Sequence, residues 1–165
     1  MIRISTWPGD LSDSYLRYVT QLGVDAIDFG DATAFRGVGE TGVPDLDGVL
    51  EIKRQLSSWG LAINRVTLPN INEGFMDGAD GLEHELDAVS TALRVFGEAG
   101  VPIARQRFGG DAMPHRTRPY RSMHRGGYLS RGEYAHRSAP TPRSAQALDA
   151  WWDQFRRVYE RLVPI

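Results

Sequence analysis

The chain has 165 residues, of which 41% are hydrophobic and 24% are charged, and its formal net charge is −2. These values are typical of one globular domain or of part of a larger one, and they exclude collagen-like chains. No apolar run approaches the roughly 20 residues of a transmembrane helix and no signal peptide is recognisable, so the expected location is the cytoplasm. The absence of Cys excludes disulfides, thiolate metal sites and Cys nucleophiles.

The charge is distributed unevenly along the chain. Residues 105–143 contain nine arginines and two acidic residues, whereas the rest of the chain has ten basic and nineteen acidic residues. A block of positive charge favours an anionic ligand. The sequence pI of about 6.1 argues against a general affinity for nucleic acid.

One pattern of helix, glycine and short apolar strand occurs three times. In each case an amphipathic stretch is followed by Gly23, Gly60 or Gly100 and then by an apolar run of strand length. A glycine just after a helix provides the left-handed cap, and the run that follows fits a buried parallel strand. With an opening strand at residues 2–6, the sequence predicts four strands that alternate with four helices.

The first two helices are predicted from apolar residues that recur at helical spacing. The apolar face of the first helix is formed by Tyr15, Tyr18, Val19 and Leu22. The second helix runs from about residue 44 to residue 59, and Pro44 suits its first turn because no backbone N–H partner is needed there. Its apolar face is formed by Leu46, Val49, Leu50 and Leu56.

The last two helices carry sequence signals in their first turns. Asp80, followed by Glu83 three residues later, fits a capping box at the start of the third helix. Ser144 is predicted to cap the fourth helix. The apolar face of this helix includes Trp151 and Trp152, and we expect both to pack on the strands rather than to bind sugar.

Alternating strands and helices leave two architectures, an open doubly wound sheet and a barrel of eight βα units. The last helix runs to Ile165 without a further glycine and strand. Because a complete barrel needs about 250 residues, the predicted fold is the α/β (βα)4 half of a TIM barrel. Residues 1–165 form one domain, and residues 109–143 form an Arg-rich loop inserted after strand 4. The unpaired strand edges of such a half predict a homo-oligomer.

In βα folds the chemistry lies at the carboxyl ends of the strands. Here these ends hold Thr6, Trp7, Asp28, Asp31 and the residues at 64–70 and 105–110. Asp and Asn at such positions also serve in turns and caps. Arg65, Arg105 and Arg107 alternate with apolar residues, and an arginine inside a barrel needs an anion or a carboxylate beside it.

Residues 109–143 are too many for an ordinary βα connection, so they form a lid, a binding loop or a solvated loop. The segment combines Arg, Tyr and His side chains, including His124, Arg125 and Tyr128, that are suited to the carboxylate of a sugar acid. Its three histidines are 9 and 12 residues apart, which argues against a zinc site. A single Arg-Gly-Gly unit is weak evidence for RNA binding.

Five stretches of the chain share a pattern with one family. They are residues 2–7 with Gln21-Leu-Gly-Val-Asp25, then Leu68-Pro-Asn-Ile-Asn-Glu73, then Thr91-Ala-Leu-Arg-Val-Phe-Gly-Glu-Ala-Gly-Val101, and finally residues 151–165. On these stretches the chain resembles the N-terminal half of the mannonate dehydratases, which are xylose-isomerase-like TIM barrels. The resemblance extends over nearly the whole chain.

The resemblance implies dehydration of D-mannonate to 2-dehydro-3-deoxy-D-gluconate with a divalent metal, Mn2+ being the expected ion. In such a reaction a base removes the proton beside the carboxylate, the metal stabilises the enediolate, and an acid assists loss of the 3-hydroxyl. The family's metal ligands lie on strands 5 to 8, so the resemblance places them outside this chain. It also implies that this chain alone is inactive.

Two strand ends depart from the family pattern. The segment Pro69-Asn-Ile-Asn-Glu73 occurs where the family has Pro-Val-His-Glu, and Asn72 falls near the position of that histidine. The segment Arg107-Phe-Gly-Gly110 replaces Asn-Phe-Met-Pro after strand 4. A sugar isomerase or epimerase of the same superfamily is therefore an alternative to the dehydratase.

The leading hypothesis from sequence is one half of a sugar-acid dehydratase, with a small-molecule sugar acid as its partner. Its predicted substrate contacts are Arg107, His124, Arg125 and Tyr128, while no catalytic residue or metal ligand is assigned. An alternative from another class is a non-catalytic module whose Arg- and Tyr-rich loop holds RNA or an acidic protein, which predicts salt-sensitive binding. A third is a fragment without activity of its own.

Overall fold

The computed structural model describes residues 2–108, 117–123, 126–127, 129–135 and 144–165. Its main sheet is parallel and contains, in spatial order, β1 (Ser5–Thr6), β2 (Ala26–Asp28), β3 (Ala62–Thr67) and β4 (Ala104–Arg105). Strands that follow one another in sequence are neighbours in the sheet, and helices connect them. The chain therefore has the α/β architecture of half a TIM barrel, which confirms the predicted fold class.

The connections contain long and short helices. They are α1 (Asp13–Gln21) after β1, α2 (Val38–Thr41) and α3 (Leu46–Ser58) after β2, α4 (Glu73–Met76) and α5 (Glu83–Glu98) after β3, and α6 (Ala145–Leu162) after β4. Between β4 and α6, the strands β5 (Thr117–Met123) and β6 (Leu129–Ala135) form an antiparallel hairpin. The hairpin lies in the segment that was predicted to be a loop. The one-turn helices α2 and α4 were not predicted, because four residues are too few to show an amphipathic period.

The hydrophobic core lies between the sheet and the helices. Three buried phenylalanines connect its parts, since the ring centroids of Phe29 and Phe35 are 4.7 Å apart and those of Phe35 and Phe96 are 5.2 Å apart. Phe29 follows β2, Phe35 precedes α2 and Phe96 lies on α5. Offset and edge-on aromatic pairs add about 0.5–1.5 kcal/mol each to the burial of their area, so these rings join separate βα units.

A bulge in β3 decides which of its side chains enter the core. Ile27 pairs with Ile63 and Asp28 pairs with Arg65, so Asn64 is an extra residue in the β3 ladder. The core residues of this region are therefore Ile63, Val66 and Leu68, with a gap of three and then of two. Arg65 and Thr67 alternate with the last two, which places them on the opposite face, here called the inner face of the sheet.

The structure corrects the predicted start of the chain. The first strand is limited to Ser5–Thr6, because Ile2 is 91% exposed and does not pair with β2. In α1 the buried residues are Leu16 and Val19, whereas Tyr18 and Leu22, predicted for the apolar face, are exposed. The predicted core side of α1 was therefore wrong by about one residue. Leu16 faces the core, and the preceding Tyr15 is only partly buried.

Further corrections concern the first turns of the helices. The helix predicted to begin at about Pro44 begins at Leu46, and its N-cap Asp45 accepts a hydrogen bond from the Gly48 N–H. Helix α5 begins at Glu83 after Leu82, with no side-chain cap, so the capping box of Asp80 is wrong. Ser144 caps α6 as predicted.

The tryptophan pair on α6 is divided between the core and the surface. Trp151 packs against the core, while Trp152 is 55% exposed, so only the first of the two packs as expected.

None of the helices in the described part of the chain has both the length and the hydropathy of a membrane-spanning helix.

Candidate functional site

A cluster of polar side chains occupies the inner face where β1, β2 and β3 meet. Asp28 accepts a hydrogen bond from Ser5 Oγ at 3.1 Å and another from Asn64 Nδ2 at 2.7 Å. Arg65 Nη2 lies 3.5 Å from the second carboxylate oxygen, Oδ2. We call Ser5, Asp28, Asn64 and Arg65 the Asp28 cluster; it is half-buried, because the side chains of Arg65 and Asp28 are 27% and 20% exposed.

The bulge in β3 makes this cluster possible. Neighbouring residues of a regular strand point to opposite faces, so Asn64 and Arg65 could not both reach one carboxylate without it. Because Asn64 is the extra residue in the ladder, both side chains contact Asp28. The expected need of Arg65 for a carboxylate is therefore met within the chain.

Two buried polar atoms near the cluster have no hydrogen-bond partner among the described residues. They are Arg65 Nε and the hydroxyl oxygen of Thr67, a residue that is only 1% exposed. Thr67 is in register with Arg105 on β4, and Arg105 is exposed. Donors of this kind beside an exposed cation suit a ligand that carries hydroxyl and carboxylate groups.

Arg107, the predicted substrate contact after β4, is held in place by its backbone. Its carbonyl oxygen accepts hydrogen bonds from Ile71 N at 3.2 Å and from Gln106 Nε2 at 2.6 Å. Gln106 Nε2 also donates to the carbonyl of Pro69, and Ile71 forms a parallel bridge with Phe108. The carboxyl ends of β3 and β4 are thus fastened together, and the half-buried Arg107 lies at this junction.

Asn72, which falls near the histidine of the Pro-Val-His-Glu pattern, has a structural role in this chain. Its side-chain oxygen accepts from the Phe75 N–H at 2.9 Å and so caps α4. Glu85 on α5 accepts from the backbone N–H of Asn72 at 2.8 Å and from its side-chain amide. The residue therefore ties α4 to α5, and its amide groups are engaged in these contacts.

Trp7 is a site residue whose role the sequence did not reveal. It follows β1 and is 58% exposed, while its ring lies against Gly30, at which an added Cβ would be 2.1 Å from the ring. The Tyr15 hydroxyl donates to the Trp7 carbonyl, which fixes the backbone of this turn. A half-exposed indole at the strand ends offers a flat apolar surface for a sugar.

Other strand-end residues follow the ordinary interpretation. Asp31 accepts from the backbone N–H and the hydroxyl of Thr33, which is a local turn. His124, Arg125 and Tyr128 lie outside the described residues, so their predicted roles in substrate binding stay predictions.

Two carboxyl groups, Asp45 and Asp10, have a lowered pKa. Asp45 has a pKa below its ordinary value of 3.8, mainly because Arg36 donates to its carboxylate at 2.8 Å and then because the Gly48 N–H does so. The pKa of Asp10 is lowered by hydrogen bonds from the backbone and the hydroxyl of Ser12. Both carboxylates stabilise local turns rather than a reacting centre.

The described residues do not fit a metal ion. Across residues 2–108 and the other described segments, no three His, Asp or Glu side chains are grouped so that they could hold one. Asp28 is engaged by three side chains of its own cluster. The arrangement can therefore hold polar groups and an anion, and no metal ligand is assigned here.

Comparison with known proteins supports the fold. No protein-family profile and no curated protein sequence matches the chain. Among solved structures, the chain is similar to mannonate dehydratase from Streptococcus suis serotype 2, with a TM-score of 0.69 and 17% sequence identity. The match covers 99% of this chain and 50% of that chain, so this chain spans about half the length of its structural relative.

Proposed function

We propose that this chain is the sugar-acid-binding half of a dehydratase-type TIM barrel that acts on D-mannonate or a related acid. The observation that carries the proposal is the likeness to one half of a mannonate dehydratase along 99% of this chain. Residues 1–165 then form one domain, with residues 109–143 inserted near the carboxyl ends of the strands. A divalent metal would be held by ligands outside the described residues, because those residues offer no ligand set for it.

The side chains of the inner face support a binding role. Within the part of the chain that the structure describes, Thr67 and Arg65 each retain a polar atom without a hydrogen-bond partner, and Arg105 is exposed beside Thr67. Arg107 is fixed by its backbone at the end of β4 and is proposed to bind the substrate carboxylate, in the planar manner typical of guanidinium groups. His124, Arg125 and Tyr128 are proposed as further contacts from the inserted segment.

Trp7 adds an apolar surface at the same edge of the sheet. Its ring is held against Gly30 and leaves more than half of the residue exposed. We propose that the carbon skeleton of the sugar acid stacks on this ring while Arg107 binds the carboxylate. A sugar acid has both features, since one end is charged and the rest carries C–H groups between hydroxyls.

A binding experiment with two matched ligands tests this function. The full chain is titrated by calorimetry with D-mannonate and with D-mannose, which lacks the carboxylate. We expect D-mannonate to bind more tightly, and Arg107→Gln to weaken its binding by about tenfold, as for the loss of one charged hydrogen-bonding pair. The control is Arg54→Gln, because Arg54 is exposed on α3, and its affinity should equal that of the wild type.

The possible outcomes separate the candidate functions. Equal affinities of the wild type and Arg107→Gln for D-mannonate would remove the role of Arg107. Equal binding of the neutral sugar and the acid would favour an isomerase or epimerase instead. If neither ligand binds at millimolar concentration, the proposed binding role of this half is wrong.

A second candidate function rests on the hairpin of β5 and β6. This hairpin is paired from Thr117–Ala135 to Met123–Leu129, outside the parallel sheet. Residues 117–135 contain four arginines and one acidic residue, Glu133. A basic hairpin apart from the main sheet favours a non-catalytic binding module, for which RNA binding should weaken steeply with salt. Binding that does not change between low and high salt would exclude this candidate.

A further inference from the structure

The exposed large hydrophobic residues are concentrated at the two ends of the parallel sheet. Twelve such residues are exposed among those described, and none of them lies in residues 23–102. Five belong to the first βα unit, namely Ile2, Ile4, Trp7, Tyr18 and Leu22. Six belong to the β4–α6 unit, namely Ile103, Leu148, Trp152, Tyr159, Val163 and Ile165. The two central units therefore leave no large apolar side chain exposed, whereas the two terminal units leave eleven exposed.

Helix α1 has an apolar flank that is turned away from α3. Its core side is defined by the buried Leu16 and Val19, and its α3 side by Arg17, whose guanidinium lies 5.8 Å from the centre of the Trp59 ring. At about 100° of rotation per residue, Tyr18 and Leu22 lie about 120° from Arg17 and about 110° from the core side. They form a third side, here called the α1 flank, that the described residues leave exposed.

Helix α6 has the corresponding flank on its own free side. Arg157 and Arg161 pair with Glu83 and Asp87 of α5, which defines the α5 side of the helix. The buried Val158 and Leu162 lie about 100° further around the axis, towards the core. Another 100° further lie Trp152, Tyr159 and Val163, which line a groove of about 720 Å³ together with Phe155, Arg156, Glu160 and Pro164. We call this groove the α6 flank.

The sheet is open at the same two ends. In the spatial order β1-β2-β3-β4, each outer strand pairs with a single neighbour among the described strands. The α1 flank lies at the β1 edge and the α6 flank at the β4 edge. In a barrel, the unit after β4 would place its helix against the α6 flank, and the unit before β1 would cover the α1 flank.

We infer that the two flanks bind each other between two copies of this chain, so that two half barrels close head to tail. The α6 flank of each copy covers the α1 flank of the other, and the β4 edge of each copy faces the β1 edge of the other. The contact is heterologous, but two copies close the ring and leave no surface open for a third. Four strands from each copy then give the eight of a complete barrel.

The exposed area is sufficient for such a dimer. A large side chain that is about half exposed contributes on the order of 100 Å² of surface. Without Trp7, which is proposed to bind the ligand, and Ile165, which lies beside Leu93 of α5, nine residues offer on the order of 900 Å² per copy, while a stable interface needs about 800 Å² per partner. One chain carries both complementary surfaces, which favours a second copy over an unrelated partner.

Pairing would also complete the inner face as a site. The Asp28 cluster lies on the face that two facing halves would enclose, so each copy would form one wall of the other's binding cavity. This pairing does not depend on which ligand binds. The mass of the chain is measured without ligand, so an absence of dimers and an absence of sugar-acid binding are separate results.

The test is the mass of the full chain in solution, measured by light scattering during size-exclusion chromatography at micromolar concentrations. We expect twice the 18.4 kDa of one chain. The variants Tyr18→Lys and Trp152→Lys, each on one flank, should both be monomers, because a charge on either flank is placed in both contacts of the ring. Met123→Lys is the control, since Met123 is exposed but lies on β5; it should remain a dimer.

Mixing the two monomeric variants distinguishes head-to-tail pairing from a symmetric contact of like flanks. In a mixed pair both substitutions fall in one contact, and the other contact joins two wild-type flanks, so we expect dimers to reappear. Circular dichroism checks that both variants fold. We expect them to fold, because Tyr18 and Trp152 are 58% and 55% exposed. A monomeric wild type, large open assemblies, dimeric single variants, or a mixture that stays monomeric would each overturn the inference.

Discussion

At the scale of single residues, Asp28 joins three strands at the inner face. It accepts hydrogen bonds from Ser5 on β1 and Asn64 on β3 and lies beside the guanidinium of Arg65. A half-buried carboxylate with three partners serves the fold, because each of those polar groups would otherwise lack a partner away from bulk water. A ligand bound at this face would therefore meet the groups around Asp28 rather than a free carboxylate.

Replacing the charge of Asp28 tests this structural role. Asp28→Asn should lower the free energy of unfolding by about 1–3 kcal/mol, because Arg65 loses its carboxylate and the Asn64 amide meets a second amide. Urea unfolding measures the change. The matched control is Asp149→Asn on the exposed start of α6, which should change stability by less than about 0.5 kcal/mol. Equal losses in the two variants would show that the cluster contributes nothing to stability.

Asp45 gives the fold a dependence on acid pH. Because Arg36 and the Gly48 N–H stabilise its ionised form, its pKa in the folded chain is below 3.8. The stability from this contact is present above pH 3.8 and is lost as the pH falls through the lower pKa of the folded chain. Arg36→Gln should therefore flatten the decline in unfolding free energy between about pH 5 and about pH 2.5. Arg54→Gln should keep the wild-type slope, and an unchanged slope in Arg36→Gln would refute the coupling.

At the scale of elements, two helical glycines predict opposite effects of the same substitution. An added Cβ at Gly48 in α3 would lie 2.8 Å from the Arg36 Cβ and 3.0 Å from the capping oxygen of Asp45, whereas one at Gly97 in α5 has open space. Gly97→Ala should stabilise the chain by up to about 1 kcal/mol through helix propensity. Gly48→Ala should destabilise it by about 1–3 kcal/mol through overpacking. The melting temperature of each variant gives the sign of its stability change. A higher melting temperature for Gly48→Ala as well would show that the start of α3 accommodates the added methyl group without loss of stability.

The elements were predictable from sequence where one local signal decides them. Gly23, Gly60 and Gly100 all adopt positive φ, as expected for residues that end helices before strands. The start of α5 was wrong because Asp80 matches a capping box by letter, while the chain turns at Gly81 with φ +80° and enters the helix only at Glu83. Local patterns thus fix the number and order of βα units better than their first turns.

The site was predictable in kind but not in geometry. Sequence indicated that Arg65 needs a carboxylate, yet the choice of Asp28 depends on the bulge at Asn64, which follows from pairing with β2. The position of Arg107 at the β3–β4 junction depends in the same way on the bridge between Ile71 and Phe108. Such tertiary contacts join residues far apart in sequence, so no periodicity shows them.

At the scale of the whole molecule, the sheet should be most stable at its centre. The Phe29 N–H donates to the Arg65 carbonyl at 2.8 Å beneath a fully buried ring, whereas Ile4 at the β1 edge is 53% exposed. In dilute solution, hydrogen exchange at Phe29 should approach the rate of global unfolding, and that at Ile4 should be at least about tenfold faster. Exchange measured by NMR decides this. Equal protection of both amides would mean that edge and centre open together.

The bulge at Asn64 has a consequence for how this strand can change through mutation. In-frame loss of the single codon for residue 64 would restore strict alternation after Ile63. Arg65 and Thr67 would then stay on the inner face and Val66 and Leu68 in the core, because Ile63 and Val66 would be two positions apart in the strand. Three deleted nucleotides would thus leave both faces in place and remove only the amide that Asn64 donates to Asp28, so descendants of this chain can lose the bulge without turning the strand over.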